Sequence, residues 1–182
     1  EVVIVPPTSG DTITTSSPVI LFYLAEKYNG EEVVIVSPDV GGAERARRYA
    51  TRLDNADIAI IDKRRSGPNQ VAEMKVIGNV AGKSCIIVDD MVDTGGTLIK
   101  AGEALIAEGA KQVSAVCTHP VMSSNAAERL NQSIFQEVIV TDTIPISQIH
   151  HGKKIKVLSV APIFAEAIRR IHNEDSVSSL FN

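Results

Sequence analysis

An apolar run, Ile86-Ile87-Val88, ends abruptly in two carboxylates, Asp89 and Asp90. After Met91-Val92 comes a third, Asp93, then Thr94-Gly95-Gly96-Thr97, and a helical pattern begins. The order reads as buried strand, loop and helix N-terminus. Such a loop offers backbone N–H groups and the positive end of a helix dipole to an anion. The carboxylates ahead of it favour hydroxyl donors or a cation. Phosphate at one end and hydroxyls at the other describe a sugar phosphate. The bland alternative is a surface turn rich in Asp, Thr and Gly. Two adjacent carboxylates at a strand end, followed by a third at the start of an anion cradle, weigh against it.

The rest of the chain supplies a frame for this unit. Val2–Val5 is strand-like and stops at Pro6-Pro7, and residues 11–16 read as a polar linker or extended edge. Ser17-Pro18 makes a helix start, with Ser at the N-cap and Pro in the first turn, and Asn29-Gly30 ends that helix. Val33–Val36 is an all-apolar strand of the kind buried on both faces of a parallel sheet. The loop 37–42 leads to a helix over Ala43–Leu53, with an apolar stripe at Ala43, Ala46, Ala50 and Leu53. Glu44, Arg45, Arg47 and Arg48 lie largely off that stripe.

Ile58–Ile61 is the next strand, Asp62–Asn69 a basic loop, Val71–Val80 extended, and Cys85–Val88 the strand into the central motif. A helix over Thr97–Glu108 stops at Gly109. Strands over Val113–Cys117, Val138–Val140 and Ile155–Val160, and helices over Ser124–Leu130 and Pro162–Ile171, complete the pattern. Short apolar strands alternating with helices predict an α/β fold, a mostly parallel sheet covered on both faces. Ligands of open sheets bind at the carboxyl ends of strands. The loops at Asp39, Lys63 and Asp89 all follow strands and are expected on one edge.

Length and charge narrow the class. At 182 residues, one domain with short appendages suffices. A net charge of −4 gives no bulk reason to expect nucleic acid or a membrane surface as partner. No apolar run reaches the roughly 18 residues of a membrane span. Cys85 and Cys117 sit in predicted strands without metal-ligand spacing and read as buried, reduced thiols, which fits a cytoplasmic protein. The first residue is Glu1 rather than Met, the mark of a processed, truncated or excised piece.

The motif at residues 86–98 resembles the phosphoribosyl pyrophosphate (PRPP) signature shared by type I phosphoribosyltransferases and PRPP synthetases. That resemblance implies that Asp89, Asp90 and Asp93 face the ribose and that Thr94, Gly95, Gly96 and Thr97 cradle its 5-phosphate. Three further stretches resemble the synthetases. Ser37-Pro38-Asp39-Val40-Gly41-Gly42, followed by Glu44-Arg45-Ala46-Arg47, is similar to their pyrophosphate-side loop. Ile61-Asp62-Lys63-Arg64-Arg65 is similar to the start of their catalytic loop, and residues 165–181 to their C-terminus.

The match runs from about Ser17 onward, so residues 1–16 read as an extension or linker and 17–182 as the C-terminal half of such an enzyme. The resemblance implies a phosphoribosyltransferase-like fold, the reaction ATP plus ribose 5-phosphate to AMP plus PRPP, Mg2+ as cofactor and a homo-oligomeric full-length protein. Ser37, Asp39, Gly41 and Gly42 would form the pyrophosphate-side loop, with Asp39 helping to hold the metal. Lys63 and Arg65 would be catalytic, Arg65 also contacting ribose 5-phosphate. A basic run like Lys63-Arg64-Arg65 is, taken alone, a solvated turn; here it follows a buried strand and precedes a Ser-Gly-Pro segment. Diphosphoryl transfer builds negative charge that mobile cations can cover. The family's N-terminal half, with most of the ATP site, has no counterpart here. A larger small residue such as Ala often stands in the family where this chain has Gly95.

Two other readings remain open: a non-catalytic binding or regulatory module that kept the pocket, and a phosphoribosyltransferase consuming PRPP. Residues 78–84 imitate a Walker A loop, but the glycines are spaced by three residues where the motif needs four, and the stretch precedes a strand. His119, beside Pro120, reads as structural, and His150-His151 as exposed.

Overall fold

The structure is a computed structural model that describes residues 17–64, 73–145 and 152–180. The expected strand at Val2–Val5, Arg65 with residues 66–72, His150, His151 and Phe181 lie outside the described residues. Seven strands form one sheet: β1 (Val33–Ser37), β2 (Asp57–Arg64), β3 (Glu73–Ile77), β4 (Ser84–Val92), β5 (Gln112–Pro120), β6 (Val138–Thr141) and β7 (Ile155–Leu158). Their spatial order is β3-β2-β1-β4-β5-β6-β7, and every neighbouring pair is parallel except β2 with β3. Among the described residues five α-helices precede, connect or follow them: α1 (Ser17–Lys27), α2 (Ala43–Arg52), α3 (Gly96–Ala107), α4 (Ala126–Gln132) and α5 (Ala161–His172).

Both sheet faces are apolar, as the unbroken runs predict. In β1 and β4 successive residues alternate between two cores. Val34, Val36, Cys85 and Ile87 pack with Leu98, Ala101 and Leu105 of α3, Leu130 of α4 and Phe135. Ile35, Ile86 and Val88 pack with Ile20 and Leu24 of α1 and Ala46, Tyr49 and Ala50 of α2. Cys85 and Cys117 are free thiols buried in the first of these cores. Among the described residues no helix is long and apolar enough to cross a membrane.

Three strands outrun their apolar stretches. The stretch expected as a basic loop begins as strand: Asp62, Lys63 and Arg64 pair with Lys75, Met74 and Glu73 of the antiparallel edge strand. β4 continues through Asp89, Asp90 and Met91 to Val92, and β5 through Thr118 and His119 to Pro120. In each case the ladder to one neighbour carries the backbone onward after the side chains turn polar. Backbone pairing does not need apolar side chains, so hydropathy underestimates strands where they leave the core.

The central strand behaves differently. The pairing of β1 reaches only Ser37 opposite Ile60 on one side and Val36 opposite Ile87 on the other. β2 and β4 extend beyond it, so the carboxyl edge of the sheet has a notch with the end of β1 as its floor. Chain direction across the sheet also reverses here, leftward through β2 and rightward through β4 and β5. Such a switch point is where open sheets leave a crevice.

Gly78, the first residue of the Walker-like stretch, has a conformational reason for being glycine. Its φ is +129°, and a Cβ there would stand 2.8 Å from Ala59 Cβ and 3.0 Å from the Ile58 carbonyl. Gly78→Ala should lower unfolding free energy by about 1–3 kcal/mol in urea melts, with an unchanged m-value.

Candidate functional site

Three polypeptide segments line the notch, and each is held by local bonding. The turn after β1 is braced internally: Ser37 Oγ donates to the Asp39 carbonyl at 2.6 Å, and Gly42 N–H donates to Asp39 Oδ1 at 2.8 Å. A Cβ on Gly42 would stand 2.7 Å from Ser37 Oγ, so the closed turn requires glycine there. Ser37 and Gly42 are buried, while Asp39 and Gly41 are exposed. The turn therefore presents an anchored carboxylate outward. The Ser37 hydroxyl, expected among the ligand-facing groups, is committed within the turn.

On the far side, β4 carries Asp89 and Asp90 past the end of β1. Between them and the turn lies Arg45, from the first turn of α2. Its Nη1 donates to Asp89 Oδ1 at 2.8 Å, and its Nη2 stands 3.5 Å from Asp90 Oδ2. Only 16% of the Arg45 side chain is exposed, and its Nε is buried without a hydrogen-bond partner among the described residues. Sequence periodicity put Arg45 on the solvent side of α2. The helix starts directly above the notch, however, and a long first-turn side chain can overhang it. That position, one turn after a strand-end loop, was the available signal.

The two carboxyls differ in acidity. Burial raises Asp89 to about 6, and a hydrogen bond shared with Asp90 adds to this, against the Arg45 charge. Burial acts on Asp90 as well, but its hydrogen bond with Asp89, the Arg45 charge and the Met91 N–H hold it below the usual carboxylate range. The pair is thus poised to hold one proton in weak acid and to accept hydroxyl donors when both are ionised.

The third segment is the cradle. Val92 closes β4, Asp93 and Thr94 are exposed, Gly95 is the N-cap of α3, and Gly96 and Thr97 open the helix. No side chain caps this helix, so its first-turn N–H groups are left for an external acceptor. The two glycines of the cradle are also required by packing. The space that a side chain would need at either position is taken by α4. Gly95 has φ +72°, and a Cβ there would lie 3.3 Å from two carbons of Leu130. A Cβ on Gly96 would lie 3.3 Å from Arg129 Nη2. An alanine at position 95 would therefore be strained in this chain.

Lys63 stands near the end of β2, exposed, on the other flank of the notch. Arg65 lies outside the described residues. His119 Nδ1 is 2.9 Å from Thr143 Oγ1, which itself bonds the Thr118 carbonyl. This histidine braces the end of β5 against the turn after β6.

The unequal carboxyls are directly measurable. Asp89's contribution to folding is full below the ordinary Asp value of 3.8 and is lost as pH rises through about 6. Asp90's is full above 3.8 and is lost as pH falls through its lowered value. Side-chain carboxyl NMR should show one titration near pH 6 and one below the ordinary Asp value. Arg45→Ala should move both upward; unchanged titrations would refute the clamp.

Comparison with known proteins agrees with this architecture. Residues 64–182 match the family described as "Phosphoribosyl synthetase-associated domain". A ribose-phosphate pyrophosphokinase of Gloeobacter violaceus is 53% identical over 165 residues, 91% of this chain and 49% of that protein. Its counterpart in Clostridium acetobutylicum is 52% identical over 88% of this chain and 50% of that protein. The crystal structure of phosphoribosylpyrophosphate synthetase from Mycobacterium smegmatis superimposes with a TM-score of 0.80 at 39% identity, over 87% of this chain and 51% of that one. Orotate phosphoribosyltransferase from Aeropyrum pernix, 20% identical with a TM-score of 0.50 over 85% of this chain and 77% of its own, shares the fold. The chain spans about half the length of the curated relatives it matches, and it belongs to the phosphoribosyl synthetase-associated domain family.

Proposed function

We propose that this chain is the ribose-5-phosphate-binding half of a ribose-phosphate diphosphokinase. The observation that carries the reading is the notch: a carboxylate pair and an uncapped helix N-terminus on β4, beside an anchored acidic turn on β1 and a lysine on β2. Asp89 and Asp90 accept the ribose hydroxyls, and Asp93, Thr94, Gly95, Gly96 and Thr97 receive the 5-phosphate. Arg45 holds the two carboxylates in place. The Ser37–Gly42 turn faces the diphosphate.

In the transfer the anomeric hydroxyl oxygen attacks the β-phosphorus of ATP, the bond from that phosphorus to the α–β bridging oxygen breaks, and AMP leaves. The hydroxyl proton is lost to solvent or a base, giving PRPP. Lys63 and Arg65 supply positive charge to the migrating group. A module that only binds has no need of cations there, and the resemblance of residues 165–181 to the synthetases favours them over a nucleobase-transferring enzyme.

Asp39 fits Mg2+ as a partial ligand. It offers one anchored carboxylate, and among the described residues no group of three or more His, Cys, Asp or Glu converges on one point. Magnesium takes few carboxylates and completes its shell with water and phosphate oxygens. Bound there, it would neutralise diphosphate charge.

Calorimetry on the chain should show PRPP binding that strengthens with Mg2+, and Asp39→Asn should remove most of the Mg2+ effect. Absence of heat with both ribose 5-phosphate and PRPP, on folded protein, would exclude the pocket. In a full-length enzyme carrying both halves, Lys63→Ala should lower kcat by about 100-fold or more with little change in ribose 5-phosphate KM. Equal loss in binding would move Lys63 from the transition state to ground-state recognition.

A further inference from the structure

The cradle has a neighbour that the sequence motif does not include. Arg129, on α4, donates from Nη1 to the Thr94 carbonyl at 3.1 Å, and its Nη2 reaches the open side of Gly96. The side chain is exposed, and the Thr94 bond is its only hydrogen bond or ion pair among the described residues. Glu128, its neighbour on α4, is bonded to Gln132. A guanidinium carries several donors in a fixed fork, and one bond uses only part of it.

The placement is electrostatically unfavourable as it stands. Arg129 brings a full positive charge, without a counter-ion among the described residues, to the first turn of α3, where the helix dipole already presents positive potential. Cations belong at the other end of a helix. The glycine at 96 clears room for this approach. A dianion between the helix N-terminus and the guanidinium would turn the repulsion into two attractions.

We propose that Arg129 is a phosphate-binding residue of the cradle, contributing a charged contact to the monoester of the bound sugar phosphate. This rests on the reading of residues 93–97 as the 5-phosphate site. The alternative is a brace that only fixes the Thr94 carbonyl. The two separate on charge, because glutamine can still donate to that carbonyl.

Titration of ribose 5-phosphate into the 182-residue chain and into Arg129→Gln and Arg129→Lys, with melting curves for each, tests it. Arg129→Gln should weaken binding by about 10- to 100-fold and flatten its salt dependence, while Arg129→Lys keeps part of both. 31P NMR of the bound ligand gives a second readout. The phosphate's second ionisation, near pH 6 when free, should lie lower on the wild-type chain and move back upward with Arg129→Gln. Wild-type affinity and an unmoved 31P titration in Arg129→Gln would make the residue a brace and overturn the proposal, leaving the pocket intact. If Arg129→Gln does not fold, Arg129→Met takes its place with the same readouts: a flattened salt slope and a 31P titration moved back upward support the contact, and a wild-type salt slope with an unmoved 31P titration overturns it. A wild-type chain that binds no ribose 5-phosphate removes both the pocket and this role.

Discussion

The early end of β1 is the constraint from which the site follows. Parallel neighbours on both sides continue for several residues after β1 has turned away at Ser37. Beyond that point the overhanging strands lack β1 between them, and their polar side chains Lys63, Asp89 and Asp90 are wholly or partly exposed. Carboxylates can therefore occupy strand positions that would be untenable in the middle of a sheet. The turn after β1 folds down into the same gap, and α2, starting from that turn, brings Arg45 across it. Strand length, rather than any unusual loop, puts acid, arginine and backbone donors within one crevice.

Charge in the crevice is nearly self-contained. Asp89 and Asp90 share one guanidinium, and the Arg45 Nε has no partner among the described residues, so the cluster is arranged without being fully satisfied there. A buried ion pair of this kind is weak evidence for stability, because desolvation offsets much of the attraction. Its consequence is orientation: two carboxylates on adjacent residues, which alternate sides along a strand, are drawn toward one cation. Hydroxyl donors arriving at the pair meet acceptors already turned toward the notch.

Much of this was legible in the sequence. The runs Val33–Val36 and Ile86–Val88 announced a sheet buried on both faces, and the Asp-Asp and Thr-Gly-Gly-Thr elements announced the end of β4 and the start of α3. Strand ends were less legible: Asp62–Arg64 and Asp89–Val92 are polar, and only their backbone pairing keeps them extended. Arg45 was hidden because helical periodicity describes burial against a core, and this residue is buried against carboxylates beyond the core's edge. Arg129 carried no signal at all. Its place beside Gly96 depends on how α4 packs, and nothing within its own neighbourhood in the chain reports that.

The packing of α4 against the two glycines has a consequence for fragments of this fold. Leu130 and Arg129 shape the cradle from more than thirty residues downstream, and Leu130 is fully buried in the same core as α3. A polypeptide ending after α3 would contain every letter of the acidic and glycine-rich motif and lack the surface it is moulded against. Gly95 in such a piece would be free to leave its left-handed conformation, and the helix N-terminus would lose its fixed aim. A formed cradle therefore requires α4 as well as the motif, which makes anion recognition here a long-range product of folding rather than a property of a local sequence word.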